Sequence, residues 1–333
     1  MRKTLRLISF TILVVAGFAG WLAWFAFMPV SLVKSPLEFE IRAGTGLRGA
    51  ASDIAKAGVE FPSWQFSWLG RFTGKASGIK AGSYQVSQGV TPWDLLKKIT
   101  RGDVTQAEIV FVEGKTFREM RAAMDADSNL RHDSRGLPDT EVLARIGAKE
   151  THPEGLFFPD TYLFAKQSSD LEVLRRAYQA MQRRLTAEWE NRDPSVPYDD
   201  PYQALIMASI VEKETGRAAD RPFVASVFAN RLKRGMLLQT DPTVIYGLGE
   251  EFDGNLRKRD LVTDNEYNTY TRPGLPPTPI SMPGQASIHL VLHPPASDKL
   301  YFVARGDGSS VFSSTLEEHN RAVARYQKKT GGS

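Results

Sequence analysis

Arg2, Lys3 and Arg6 lead into 22 residues, Leu7 to Met28, that carry no charge. At about 1.5 Å rise per residue such a run makes about 33 Å of helix, enough to cross a hydrocarbon core. Trp21 and Trp24 fall near its far end, where indoles favour a membrane interface. Positive charge ahead of a span holds the N-terminus in the cytoplasm, so the chain from about residue 29 is expected outside. Gly17 and Ala19 would also satisfy the small-x-small rule of a cleaved signal peptide. Cleavage there would leave the very apolar "GWLAWFAF" as a new N-terminus. The expectation is therefore a cytoplasmic tail (1–6) and an uncut transmembrane helix (7–28).

The length of 333 residues suggests two or three domains, and 42% hydrophobic content supplies their cores. A formal charge of +4, with no long Lys/Arg run and no basic patch interleaved with aromatics, argues against a nucleic-acid partner. There are no cysteines, which excludes a thiol nucleophile, disulfides, a Cys-based zinc site and a lipid-modified N-terminal cysteine. The histidines at 132, 152, 289, 293 and 319 show no HExxH-like spacing, so neither a metal nor another cofactor is expected.

"EFEIRAGTGLRGAASDIAKAG" (38–58) alternates like a strand, turns at glycine, then places Leu47, Ala50, Ala51, Ile54 and Ala55 at helical spacing. Within 78–102 a strand is expected around Tyr84–Val86. A second helix follows, with Thr91 as its cap and Pro92 in its first turn. Residues 38–105 thus read as a compact strand–helix–helix–strand module. The segments 41–55 and 110–124 share a layout of strand, glycine (Gly44, Gly114), threonine, and a helix opening at Leu47 or Phe117. Chance recurrence of a common unit explains that repeat equally well. Residues 126–152 are polar and broken by Pro and Gly, as a loop or insertion would be, and 168–190 fits a long helix.

The chemistry is expected in "DPYQALIMASIVEKETG" (200–216). Asp200 caps this helix, Pro201 sits in its first turn and Gly216 stops it. Ala204 to Ala208, Ile210 and Val211 cover nearly its whole circumference, so it is a buried helix with Ser209 and Lys213 as its polar edge. Glu214 shares the sector of Met207, Ile210 and Val211, while Glu212 lies about 160° away. Desolvation disfavours a charged carboxylate, which makes Glu214 the better general acid. The alternative is a helix that surfaces here, with both glutamates solvated and Glu214 paired to Arg217 or Lys213. Downstream, "LQTDPTVIYG" (238–247) and "YNTYTRPGLPPTPISMPG" (267–284) are rich in Tyr, Thr, Asn and Pro, and "PEGLFFPDTYLF" (153–164) repeats the style. Flat rings with short hydrogen-bonding side chains suit a neutral, hydroxyl-rich ligand, a glycan; plain structural loops are the other reading.

Those three loops, with "ASIVEKETG" (208–216), "NRLKRGMLLQTDPTVIYG" (230–247) and "LHPPASDKLYFVARGDGSSVFSSTLEEHN" (292–320), closely resemble the endolytic murein transglycosylase family, the YceG-like membrane-anchored lytic enzymes. The resemblance spans nearly the whole chain. It implies an α+β fold: a transmembrane helix, a LysM-like βααβ module (38–105) and a YceG-like mixed α/β catalytic domain (106–333). It also implies cleavage between N-acetylmuramic acid and N-acetylglucosamine in nascent peptidoglycan, giving 1,6-anhydro ends. In that family the catalytic glutamate precedes a hydroxyl residue, here Glu214 before Thr215. Gln239, Thr243, Tyr246, Tyr267, Asn268 and Tyr270 would line the groove, together with Phe158, and Asp241 and Asp160 would position substrate. The implied partners are glycan strands, the membrane, and penicillin-binding proteins or other cell-wall synthases. Two rivals stay open. One is a water-using muramidase, whose second carboxylate would be Asp241 or Asp160. The other is a non-catalytic glycan-binding or scaffolding protein.

Overall fold

The computed structural model describes residues 2–214 and 216–327. It divides into two compact units. The first comprises 1–108, 129–131 and 163–168, and the second 109–128, 132–162 and 169–333. Among the described residues the strands form four two-stranded sheets, set among many helices, so the protein is of mixed α/β build.

The first unit begins with α1 (Arg2–Phe27), then β1 (Ser31–Leu32), β2 (Leu37–Ile41), α2 (Leu47–Ala57), β3 (Val59–Glu60), α3 (Ser63–Phe72), β4 (Gly82–Val86) and α4 (Pro92–Arg101). In β2 the alternation is strict: Leu37, Phe39 and Ile41 are buried, Glu38 and Glu40 exposed. β2 pairs antiparallel with β4, setting Phe39 opposite Tyr84, and β1 pairs with β3. α2 buries Leu47, Ala50, Ala51 and Ile54, the face its spacing predicts. The Thr91 hydroxyl accepts the Asp94 N–H at 3.1 Å, with Pro92 as the first helical residue, so α4 starts where expected.

The order strand, helix, helix, strand is present, but its second helix is α3, and the Thr91-capped helix follows the second strand. α3 escaped the sequence reading because its aromatics lie on both faces. Phe66 and Leu69 enter the core while Trp64, Trp68 and Phe72 stay exposed, which blurs the apolar stripe. Its N-cap is Pro62, with no side-chain hydrogen bond to announce it. α1 is exposed from Arg6 to Gly20, then joins the unit's core through Leu22, Phe25 and Ala26.

The second unit holds the end of β5 (Gln106–Val110), α5 (Phe117–Ala126), α6 (Asp139–Ile146), the start of β6 (Thr161–Ala165), α7 (Asp170–Glu190), α8 (Pro201–Glu214), α9 (Arg221–Lys233), α10 (Asp241–Leu248), α11 (Lys258–Val262), α12 (Gln285–Leu292), β7 (Tyr301–Ala304), β8 (Ser310–Ser313) and α13 (Leu316–Tyr326). β5 pairs with β6, and β7 with β8 as an antiparallel hairpin covered by α13. Both repeat copies have the expected layout, with Gly44 and Gly114 in left-handed turns at φ 80° and 74°. α5 alone adds a reciprocal capping box between Thr116 and Glu119. The stretch 126–152, expected as a loop, contains α6, which buries Val142, Leu143 and Ile146 but spans only eight residues and lacks a side-chain cap.

Candidate active site

α8 carries acidic side chains out of the core. The Asp200 carboxylate accepts the Gln203 N–H at 2.8 Å, starting the helix as predicted, and every residue from Ala204 to Val211 is buried. α7, α9, α10 and α12 pack around it. Ser209 is part of this buried wall, which corrects the polar edge expected there. Its hydroxyl donates to the Ile206 carbonyl at 2.7 Å and accepts the Ile280 N–H at 2.9 Å. A small hydroxyl that satisfies itself on neighbouring backbone needs no water.

The two glutamates part company at the helix end. Glu212 has a side chain only 6% exposed. One of its oxygens accepts the Gly284 N–H (2.9 Å) and the Ser287 hydroxyl (2.7 Å), and the other faces Arg221 at 3.5 Å. Glu214, half-buried, turns to the next loop, where its Oε2 accepts the Thr240 hydroxyl at 2.6 Å. Burial pushes the Glu214 carboxyl above the usual carboxylate range. The Thr240 bond opposes this, the negative charge of Asp241 adds to it, and Arg231 opposes it again. Shelter alone therefore does not separate the pair, as the helix-face argument supposed; their partners do. Glu212 has a cation and two donors, whereas Glu214 has one hydroxyl and an anion close by. Lys213, between them, donates to the Gly114 carbonyl at 3.2 Å. Thr215 lies outside the described residues.

The loop facing Glu214 is held from three sides. Gln239, exposed, adopts φ 51°, a left-handed conformation uncommon for a residue with a side chain, and its N–H bonds to the Thr269 carbonyl at 3.1 Å. The Thr240 N–H donates to the Thr269 hydroxyl at 3.1 Å, and the Thr243 hydroxyl donates to the Thr240 carbonyl at 2.8 Å. From behind, the buried Arg231 guanidinium donates to the carbonyls of Leu238 and Leu300, both at 2.7 Å. Asp241, exposed at the head of α10, accepts the Tyr270 hydroxyl at 2.5 Å. Burial raises Tyr270, so its hydroxyl stays a donor.

Beside this loop runs a groove of about 610 Å³ whose lining includes Lys213, Pro242, Ile245, Tyr246, Phe252 and Tyr267 together with Arg118, Glu119, His152 and Glu154. Glu214 itself does not line it; Lys213 and Pro242, the chain neighbours of Glu214 and Asp241, do. The rings of Tyr246 and Tyr267 meet edge to face at 4.9 Å. Other expected ligand residues are placed differently. Thr243 and Asn268 are fully buried, and the Asn268 amide is spent on the carbonyls of Asp260, Leu261 and Thr263. Both brace the groove rather than face it. Phe158, buried, carries Arg184 over its ring at 4.0 Å, and Asp160 lies 3.8 Å from the same guanidinium, so α7 engages both.

Glu154 was not singled out from the sequence. It is 3% exposed, accepts the Phe117 N–H (3.0 Å) and the Tyr246 hydroxyl (3.1 Å), and is pushed by burial up to about 7. The available signal was an acid inside the otherwise apolar "PEGLFFP". Among the described residues one trio suits a divalent ion: Glu188, His289 and His293, with ligand atoms within 4.8 Å of one another. His289 on α12 and His293 just past its end stand four residues apart, with Leu290 where an HExxH pattern has glutamate. A 2.9 Å bond from His289 to Glu188 already satisfies the pair without an ion.

The fold and the site define a mixed α/β protein with a sheltered acid at the end of a buried helix, beside a polar aromatic groove. Residues 39–325 match the model of the YceG-like family, and the chain belongs to that family. It is 34% identical over 310 residues to an endolytic murein transglycosylase of Bacillus subtilis, covering 88% of this chain and 85% of that one. A Streptococcus pneumoniae protein of the same name is 25% identical over 327 residues, and this chain spans 59% of its length. The crystal structure of a YceG-like protein from Listeria monocytogenes matches with a TM-score of 0.54 at 32% identity, over 86% of this chain and 99% of that one.

Proposed function

We propose that the protein is an endolytic peptidoglycan transglycosylase, anchored in the cytoplasmic membrane by α1, with the chain from about residue 29 outside. A LysM-like role for the first unit, contact with cell-wall synthases, and the limiting of nascent strand length belong to the same reading. The observation that carries it is Glu214, a carboxyl lifted above the usual carboxylate range by burial and by Asp241, which favours the protonated form a general acid needs. Glu214 gives that proton to the glycosidic oxygen leaving as the N-acetylglucosamine hydroxyl, while the muramic C1–O bond breaks. The resulting carboxylate takes a proton from the muramic C6 hydroxyl as its oxygen bonds to C1. The acid is restored, no water is consumed, and a 1,6-anhydro end remains. Thr240 orients the carboxyl, and Gln239, Tyr246, Tyr267, Tyr270 and Asp241 offer stacking and hydrogen bonds to the strand. Names borne by the relatives support this reading.

The test is digestion of purified glycan strands with the full chain, followed by mass spectrometry of the product ends. Anhydro ends are expected. Glu214→Gln should lower the rate by about 10²–10⁴-fold, the usual contribution of a general acid, with strand binding retained. Reducing ends would replace the water-free route with a muramidase in which Asp241 serves as second carboxylate. Binding without cleavage by the parent protein would leave only a glycan-binding role.

A further inference from the structure

The described part of α1 divides into two stretches. From Arg6 to Gly20 it is exposed throughout, and from Leu22 onward it is partly enclosed by its own unit through Leu22, Phe25 and Ala26. The change comes at Trp21, whose ring stacks on Trp64 of α3 at 5.5 Å. Just below, Phe18 meets Trp68 at 6.1 Å and Phe72 at 5.3 Å, both edge on, and Trp68 stacks on Phe72 at 5.3 Å. Five aromatic rings from two helices thus form one continuous girdle. The α3 side of it faces outward, with Trp64 56%, Trp68 43% and Phe72 58% exposed. Arg48 and Arg71 flank Trp64 and Trp68 around a hollow of about 360 Å³, and among the described residues neither has an acidic partner.

We infer that α3 is a membrane-interface helix: its Trp64–Trp68–Phe72 face rests in the outer boundary of the same bilayer that α1 spans. This rests on the anchoring role of α1 proposed above. The register agrees. From Arg6 to Trp21 is about 22 Å of helix, and with the Arg6 side chain reaching out to the headgroups at one end the girdle falls toward the opposite boundary of the hydrocarbon. Beyond Trp21 one face of α1 is covered by its own unit through Leu22, Phe25 and Ala26, while Trp24 and Phe27 stay exposed and extend the aromatic belt. Indole and phenyl rings favour that depth, and arginines beside them reach lipid phosphates. A helix in the interfacial plane with aromatics on one side and core contacts on the other is the expected form of such a device. A water-soluble docking partner would leave unexplained why the exposed rings continue those of the spanning helix.

The absence of native cysteines makes the test direct. Single-cysteine variants Trp68→Cys, Phe72→Cys, Thr73→Cys, Leu13→Cys and Val262→Cys of the full chain are spin-labelled in phospholipid vesicles. Collision with oxygen and with a water-soluble nickel chelate is then measured. Labels at 68, 72 and 73 should show nickel accessibility several-fold below that at 262 and a depth between 13 and 262. Thr73→Cys leaves every girdle ring in place, so it guards against a substitution that loosens α3. Nickel accessibility at 68, 72 and 73 equal to that at 262, with 13 deep in hydrocarbon, overturns the docking of α3 alone. Water access at 13 overturns the anchor, and the docking with it.

Discussion

Replacing Glu154 by glutamine removes a charge that the fold resists at neutral pH. The carboxyl is almost wholly enclosed, and burial carries it from 4.5 up to about 7. At about 1.4 kcal/mol per tenfold in proton affinity, that displacement corresponds to about 3 kcal/mol. The sign follows from protonation. A raised folded pKa means the folded state binds the proton more tightly, so this stabilisation is complete below pH 4.5 and is lost as pH rises through about 7. Glutamine keeps both partners, accepting from Phe117 and meeting the Tyr246 hydroxyl, and it never ionises. The variant should therefore match the parent at about pH 4.5 and exceed it by about 3 kcal/mol at pH 8. For a unit of some 200 residues this is a gap of about 6–12 °C in Tm. Thermal unfolding of the full chain in detergent, followed by circular dichroism from pH 4.5 to 8, measures it. A gap that stays constant across that range would refute the burial argument, whatever its size.

Other substitutions separate chemistry from support. Glu212→Gln weakens a buried ion pair with Arg221, so stability should fall by about 1–3 kcal/mol in denaturant titrations, with a much smaller effect on turnover than Glu214→Gln. Equal losses of turnover would mean the two side chains share one role. Thr240→Val deletes the bond that favours the charged form of Glu214, so the alkaline limb of the pH–rate profile should move to higher pH. Asp241→Asn removes the repelling charge and should move it lower; shifts in the same direction would contradict the arrangement. Gly155→Ala, at φ 78° and with a Cβ placed 2.4 Å from the Pro279 ring, should destabilise by about 1–3 kcal/mol in thermal melts.

Much of this was legible because one-dimensional patterns have local causes. The uncharged run of α1, the Thr91 and Asp200 caps and the all-round apolar α8 are each fixed by residues within a turn or two of one another. α3 was not legible, because three of its four aromatics serve an outward face that a core-seeking pattern counts as noise. Ser209 looked polar and is buried because Ile280, some seventy residues on, supplies its donor. The burial of Glu212 comes from Gly284, Ser287 and Arg221, and Glu154 is raised by its enclosure, against the Phe117 and Tyr246 bonds that favour its charged form. Such long-range closure leaves no periodic trace. Thr243 and Asn268 have the residue types of a sugar site but spend their polar atoms within the protein.

Arg231 reaches from α9 to the backbone on both sides of it, gripping Leu238 ahead of Thr240 and Leu300 ahead of β7. The far C-terminal hairpin is thereby a counterweight for the acid, though it supplies no group to the groove. A chain cut short before residue 300 would retain every side chain assigned to the reaction, yet the Arg231 guanidinium that grips Leu238 would lose its second anchor. Loss of activity in such a truncation would then report a slackened tether rather than a missing reagent.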